Sequence, residues 1–333
     1  MQRSWAILTL DQSVGWFQKK LINTTFENSK VSTDTFGFRN FSHRSKFSND
    51  VQTIVLGPSS AFGWGVDDDL TYSALLNSSQ KLGLTFNMSG IGHTASQGQS
   101  VFEKLDLGSS NKLKNIIFAY GINELDQFRF FDQKNLDDMD FMRLEPKYTF
   151  TELLLHSFSL GQLIQLTLFE SKLYFQCQKI SMPKQRLQID QLLNIYDQFM
   201  NKHPNLNYYF LNTVFALPQK YKIAQSKNLI FQSEKYYQQA LVAAQNNNCS
   251  EFIKYFNEAR KLEPYRIHIM VNLLNKKMAD WSKNKKIHLI DINSEFEKSM
   301  LISPENNLFF DPVHPNRNGH DLIAHVILES IHD

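Results

Sequence analysis

Five residues of this 333-residue chain are of types, and at places, that could carry acyl-transfer chemistry: Ser59, Gly92, Asn123, Asp311 and His314. Ser59 closes Gly57-Pro58-Ser59, a turn that follows the apolar, β-branched run Val51–Leu56. A strand running into a tight turn and then a helix presents a side chain and its backbone N–H at the strand's carboxyl end, where ligands bind in open α/β sheets. A serine nucleophile also needs a base and a group that orients the base. Asp311-Pro312-Val313-His314-Pro315 supplies both. In that chemistry Ser59 attacks an acyl carbonyl, and His314 takes its proton and returns it to the leaving alcohol. Asp311, three residues earlier, fixes the tautomer and stabilises the imidazolium. The developing oxyanion needs donors: the backbone N–H groups of Ser59 and Gly92, and the side-chain amide of Asn123. Taken singly, each has a plain structural reading, as a helix cap, a turn glycine or a loop histidine. Together they favour chemistry.

The elements that must position these residues are read as follows. Val51–Leu56 is a buried strand, Leu84–Met88 a second and Lys114–Tyr120 a third, each ending in a glycine-marked turn. Asp67–Asp69 looks like a helix start, its acidic residues suiting the positive end, and Tyr72–Leu82 continues to Gly83. Ala95–Leu107 is a further helix. Three strand–turn–helix units in succession predict a parallel sheet with right-handed crossovers, its turns carrying Ser59, Gly92 and Asn123 on one edge. Upstream, Trp5–Leu21 fits a short strand or a helix, and Asn23–Asp50 reads as an extended, polar lead-in. Downstream, Gln127–Lys147 reads as a long loop, and Phe150–Glu170 and Pro183–Lys202 as helices. Leu206–Val214 and Lys286–Ile292 are a fourth and a fifth strand, and Gly319–Ile331 is an amphipathic helix. Between those two strands, Ser226–Asn284 is a helical block containing one helix–turn–helix rhythm that resembles a single tetratricopeptide unit. One such unit cannot bury its own face, so it is read as an insertion packed on the sheet domain.

Composition excludes several classes. An apolar share of 42%, with 27 Phe and 12 Tyr, is enough for a substantial core. A net charge of +2, without a basic cluster, gives no sign of a nucleic-acid or anionic-membrane partner. No stretch approaches the roughly 20 apolar residues of a membrane span. Arg3 precedes only a short apolar piece, which Asp11 and Gln12 interrupt, so no signal peptide is read. The compartment stays open: cytoplasmic as the chain stands, extracytoplasmic if a leader or anchor was removed. Cys177 and Cys249, outside any C-x-x-C pattern, are expected to be ordinary thiols.

The four blocks resemble, in order, those of the SGNH hydrolase superfamily, the GDSL-like lipases and esterases. Gly57-Pro58-Ser59 matches the serine block, Gly92 within NMSGIGHT the glycine block, Gly121-Ile122-Asn123-Glu124 the asparagine block, and Asp311–Pro315 the Asp/His block. FGFRN ahead of the first strand and the text around Asp311 resemble bacterial members with an insertion. The resemblance covers about residue 35 to the end. It implies a three-layer α/β/α flavodoxin-like sandwich with a parallel five-stranded sheet, and it requires no cofactor and no metal. Residues 1–50 are then a lead-in and 51–333 the hydrolase domain, with its tetratricopeptide-like insertion at about 226–284. The implied activity is hydrolysis of an O-acyl ester, O-acetyl above all, on a small molecule, carbohydrate or cell-envelope glycan. An O-acyltransferase would use the same triad. A non-catalytic binding or scaffold protein would use the insertion as a protein-partner surface. Pro58 departs from the family's usual Asp; it removes the N–H of residue 58 and leaves that of Ser59.

Overall fold

The computed structural model describes residues 7–11, 13–39, 50–105, 112–125, 187–216, 226–302 and 307–331. The stretches Gln127–Lys147 and Phe150–Glu170 lie outside these. Two antiparallel hairpins come first: β1 (Leu8–Asp11) pairs with β2 (Gly15–Gln18), and β3 (Asn23–Phe26) with β4 (Ser29–Ser32). Five strands then form one all-parallel sheet: β5 (Thr53–Leu56), β6 (Thr85–Asn87), β7 (Asn115–Phe118), β8 (Asn207–Leu211) and β9 (His288–Ile290). Its spatial order is β6-β5-β7-β8-β9. Counted along the sheet-forming strands this is 2-1-3-4-5, the flavodoxin-like doubly wound order, whose direction reverses beside β5. All five strands expected from sequence are present, each shorter than the apolar run that announced it, because ladder pairing stops before the chain enters its turn.

The sheet is covered on both faces, and β5, β6 and β7 are buried at every position. Ile54, Leu56, Ile116, Phe118 and Phe210 point to one face, against α3 (Ala95–Lys104), α5 (Ile189–Lys202) and α8 (Glu263–Lys285). Their alternates Val55, Ile117, Leu211 and Ile290 pack against α2 (Tyr72–Ser79), α9 (Ile292–Ile302) and α10 (Arg317–Ser330). Two short helices sit at the carboxyl edge: α1 (Ser59–Phe62) after β5 and α4 (Ile122–Leu125) after β7. The block read as an insertion divides: Val271, Leu274 and Met278 of α8 belong to the sheet's core, whereas α6 (Ser226–Gln245) and α7 (Cys249–Lys261) share a separate apolar cluster. Among the described residues, no helix is long and apolar enough to cross a membrane.

Several expectations need correction. The acidic run Asp67–Asp69 does not open a continuous helix. It forms a 3₁₀ turn, Asp68–Leu70, and α2 starts separately with Thr71 as its cap, accepting the N–H of Ala74 at 3.3 Å. The two carboxylates are drawn elsewhere: Asp67 accepts the N–H of Lys30, and Asp68 binds Ser32 and Arg39. Helix α2 also stops early, at Ser79, where Gln80 turns left-handed. α9 has no counterpart in the sequence reading. Cys249 is not a thiol but disulfide-bonded; Cys177, the chain's only other cysteine, lies outside the described residues.

Fully buried His320 in α10 stacks on Tyr72 at 5.5 Å, and its Nδ1 accepts the Tyr72 N–H at 3.0 Å. Burial, with the charges of Arg39 and His314 behind it, holds the imidazole down at about 3. The unfolded chain therefore binds a proton that the folded chain refuses between about pH 6.5 and pH 3. Stability is full above that window and falls as pH drops through it, by up to ~1.4 kcal/mol per unit for one proton. His320→Asn, which keeps an acceptor for Tyr72, should flatten this slope in urea unfolding. An unchanged slope would remove His320 from the acid response.

Candidate active site

Ser59 is the first residue of α1, with Pro58 in the cap position at φ −84° and ψ −158°. The Pro58 carbonyl accepts the N–H groups of Ala61 and Phe62 at 3.1 and 2.9 Å, so the short helix starts with no need for an N–H on residue 58. The turn is tied to its neighbour in the sheet: the Gly90 N–H donates to the Gly57 carbonyl at 2.9 Å. Asn87, at the end of β6, donates to the Ala61 carbonyl at 3.0 Å.

His314 reaches Ser59 from the far end of the chain. Its Nε2 lies 2.8 Å from Ser59 Oγ, and its Nδ1 lies 2.6 Å from Asp311 Oδ2. With Nδ1–H donating to the carboxylate, Nε2 is left to accept the serine proton. The three-residue spacing has a local cause. Asp311 Oδ1 accepts the backbone N–H groups of Val313 and His314, both at 2.9 Å, an Asx-type turn that curls the chain so Oδ2 meets the ring. The loop is closed behind it by Phe310 N–H to the His314 carbonyl and Asn316 N–H to the Leu308 carbonyl, each 2.9 Å. Burial alone would raise the Asp311 carboxyl, but its bonds to His314 and Val313 prevail and hold it below the usual range.

Ser59 is only 8% exposed, and His314 is far more covered than Asp311. The covering is aromatic. Trp64 stacks on the His314 ring at 5.1 Å and 19°, and Phe26 of β3 meets Trp64 edge-on at 4.7 Å. Sequence reasoning missed Trp64, for which an aromatic five residues after a candidate serine was the available signal.

Gly92 and Asn123 follow β6 and β7, the two strands that flank β5. Gly92 has φ +75°, a conformation that strains any side chain, and a Cβ there would lie 3.1 Å from the Trp16 indole. Trp16 is held by its Nε1–H on the Ile91 carbonyl at 2.7 Å. Asn123, on α4, donates from Nδ2 to the His93 carbonyl at 2.8 Å, one residue from Gly92. Beside it, buried Glu124 accepts the Ala95 N–H at 2.7 Å and the Gly121 N–H at 2.8 Å. The glycine and asparagine turns are thus stitched into one unit by two adjacent side chains. Glu124 belongs to the asparagine block, and its residue type alone does not announce this role. Among the described residues no group of three His, Cys, Asp or Glu side chains could hold a metal ion.

No family model and no curated protein matches the chain. Solved structures do. One is a member of the lipolytic protein G-D-S-L family from Veillonella parvula: 11% identity, 84% of this chain and 97% of that one, TM-score 0.41. A GDSL-like lipase from Bacteroides thetaiotaomicron aligns at 9% identity over 87% and 91%, TM-score 0.42. A catalytic mutant of an acetylxylan esterase from Geobacillus stearothermophilus aligns at 11% over 86% and 96%, TM-score 0.41. The chain is similar to these proteins. The roles proposed below rest on its own residues.

Proposed function

We propose that the chain is a serine ester hydrolase of the SGNH type, working through an acyl-enzyme on Ser59. The observation that carries this is the unbroken relay Ser59–His314–Asp311, with contacts of 2.8 and 2.6 Å across 255 and three residues of chain. Ser59 Oγ attacks the ester carbonyl as its proton passes to His314 Nε2. The carbonyl oxygen becomes an oxyanion met by the Ser59 and Gly92 N–H groups and Asn123 Nδ2. Asp311, a carboxylate at neutral pH, stabilises the imidazolium. His314 then protonates the departing alcohol, leaving acyl-Ser59. Water enters, gives His314 a proton and attacks the acyl carbon; collapse releases the acid and restores Ser59.

For the alcohol part of the ester we propose a carbohydrate. Phe310, 55% exposed one residue before Asp311, offers a flat apolar ring on the loop that carries His314. Release of acetate from an acetylated oligosaccharide, compared with a plain alkyl acetate, tests that part alone. The hydrolase reading is tested by a fluorophosphonate probe, which should add its mass to Ser59 and not label a His314→Ala variant. A wild type that stays unlabelled would favour a non-catalytic protein.

Pro58 bears on the same reading. Because its carbonyl serves the helix and the donor belongs to residue 59, Pro58→Asp should fold normally and change turnover of an activated ester little. A nearly inert wild type that Pro58→Asp activates would mean the proline has closed the oxyanion site.

A further inference from the structure

α1 is four residues long, and one turn of helix cannot hold itself together. Whatever fixes its far end therefore fixes Ser59. Three carbonyls in succession there, of Ala61, Phe62 and Gly63, accept from donors outside the helix, the last also taking the Val66 N–H at 3.1 Å. Asn87 supplies the first. Arg39, from the segment before the sheet, supplies the others through Nη1, at 3.4 Å to Phe62 and 3.1 Å to Gly63. Nη2 binds the carbonyls of Val66 at 2.6 Å and Lys30 at 2.9 Å, and Nε binds Asp68 Oδ1 at 2.6 Å. The guanidinium is fully buried and lies 4.8 Å from the centre of the Phe62 ring. A planar fork serving four carbonyls and a carboxylate is work that a lysine ammonium cannot repeat. Asp68 is itself bound by the N–H and the hydroxyl of Ser32, at 3.0 and 2.6 Å, which locks β4 to the same centre.

We propose that Arg39 is a positioning residue: it clamps the segment from Phe62 to Val66 and thereby sets both the Ser59 hydroxyl at the head of α1 and the Trp64 ring on His314. The assignment rests on Ser59 being the nucleophile, and it makes the upstream hairpins part of the working site. Arg39 touches no reacting atom. Its loss acts through a displaced Ser59, and displacements of the order of 1 Å cost up to about 10²-fold in rate.

The test uses Arg39→Lys in the full chain, with two readouts. On an activated acetate ester, kcat per phosphonate-reactive site should fall roughly 10- to 10²-fold with KM little changed. Amide hydrogen exchange of the peptide 57–66 should rise while that of β7 stays protected; the Gly63 and Trp64 amides, both bonded to the Ser59 carbonyl at 3.1 Å, report directly. Local exchange that rises in a chain whose wild type does not cleave esters would keep the clamp and sink the hydrolase reading. A folded variant with unchanged exchange at 57–66, or with exchange raised equally everywhere, would overturn the clamp. If Arg39→Lys does not fold, Asp68→Asn carries the same two readouts and criteria, because it weakens the anchor of Nε while leaving the guanidinium in place.

Discussion

Ser59→Ala is expected to cut turnover of an activated acyl ester by roughly 10⁴-fold or more, with the melting transition close to wild type. The hydroxyl is the only group of the triad whose removal takes away the bond-forming atom. What it leaves behind is the oxyanion site and water, which together retain a modest acceleration. Little structure is lost with it: Ser59 Oγ bonds His314 Nε2, while α1 is held by the Pro58, Asn87 and Arg39 contacts, all of which survive. Because the three groups act in one relay, the losses should not add. Asp311→Asn should cost about 10⁴-fold, since an amide in that place favours the wrong imidazole tautomer. A Ser59→Ala, Asp311→Asn double variant should fall little below Ser59→Ala alone. Ester cleavage that persists in Ser59→Ala, at a rate comparable to wild type, would place the chemistry elsewhere on the protein.

The sheet was legible because its strands are buried on both faces. In TIVL and NIIF the polar residue stands only at the entry and three apolar ones follow, and their turns are marked by Gly57 and Gly121. The first hairpin was legible only as one of two readings, strand or helix, and the second was not legible. β3 is NTTF, exposed at three of four positions, and β4 is SKVS, which alternates in burial but has a single apolar residue, Val31, to show it. They are strands because each has its partner two or three residues away, and because Phe26 and Val31 reach an apolar cluster with Ile7, Phe62 and Ile91. α9 was hidden by its junction: Ile292 ends an apolar run and also starts the helix, so the run was read as strand throughout.

At the site, residue type and order exposed the groups that bear chemistry, while the groups that hold them stayed invisible. His314 can be matched to Ser59 by chemical need. Nothing in Arg39 or Asp68 announces that the two meet at 2.6 Å across 29 positions. Asp68 even pointed the wrong way, as a helix-start carboxylate. Support by buried polar contacts depends on which backbone carbonyls lack partners, and that is known only once the chain is folded.

Asn123 is where a chemical role and a supporting one share a side chain, so its prediction needs two variants. Asn123→Ala should lower kcat by roughly 10²–10³-fold, the scale of one lost oxyanion donor. One N–H of the amide already holds the His93 carbonyl at 2.8 Å, beside Gly92. The alanine variant therefore also loosens the Gly92 turn, although Glu124 still grips Gly121 and Ala95 from the next position. Asn123→Asp separates the two effects. A carboxylate donates to neither the His93 carbonyl nor the oxyanion, and it sets a negative charge against the one that develops in the transition state. If the amide acts on the oxyanion, the aspartate variant should be slower than the alanine one, with KM nearly unmoved in both. If Asn123 serves only to pin the turn, the two should lose activity alike, and exchange at the Gly92 amide should rise equally in each. An alanine variant as fast as wild type would remove Asn123 from the mechanism and leave the backbone N–H groups of Ser59 and Gly92 to carry the oxyanion.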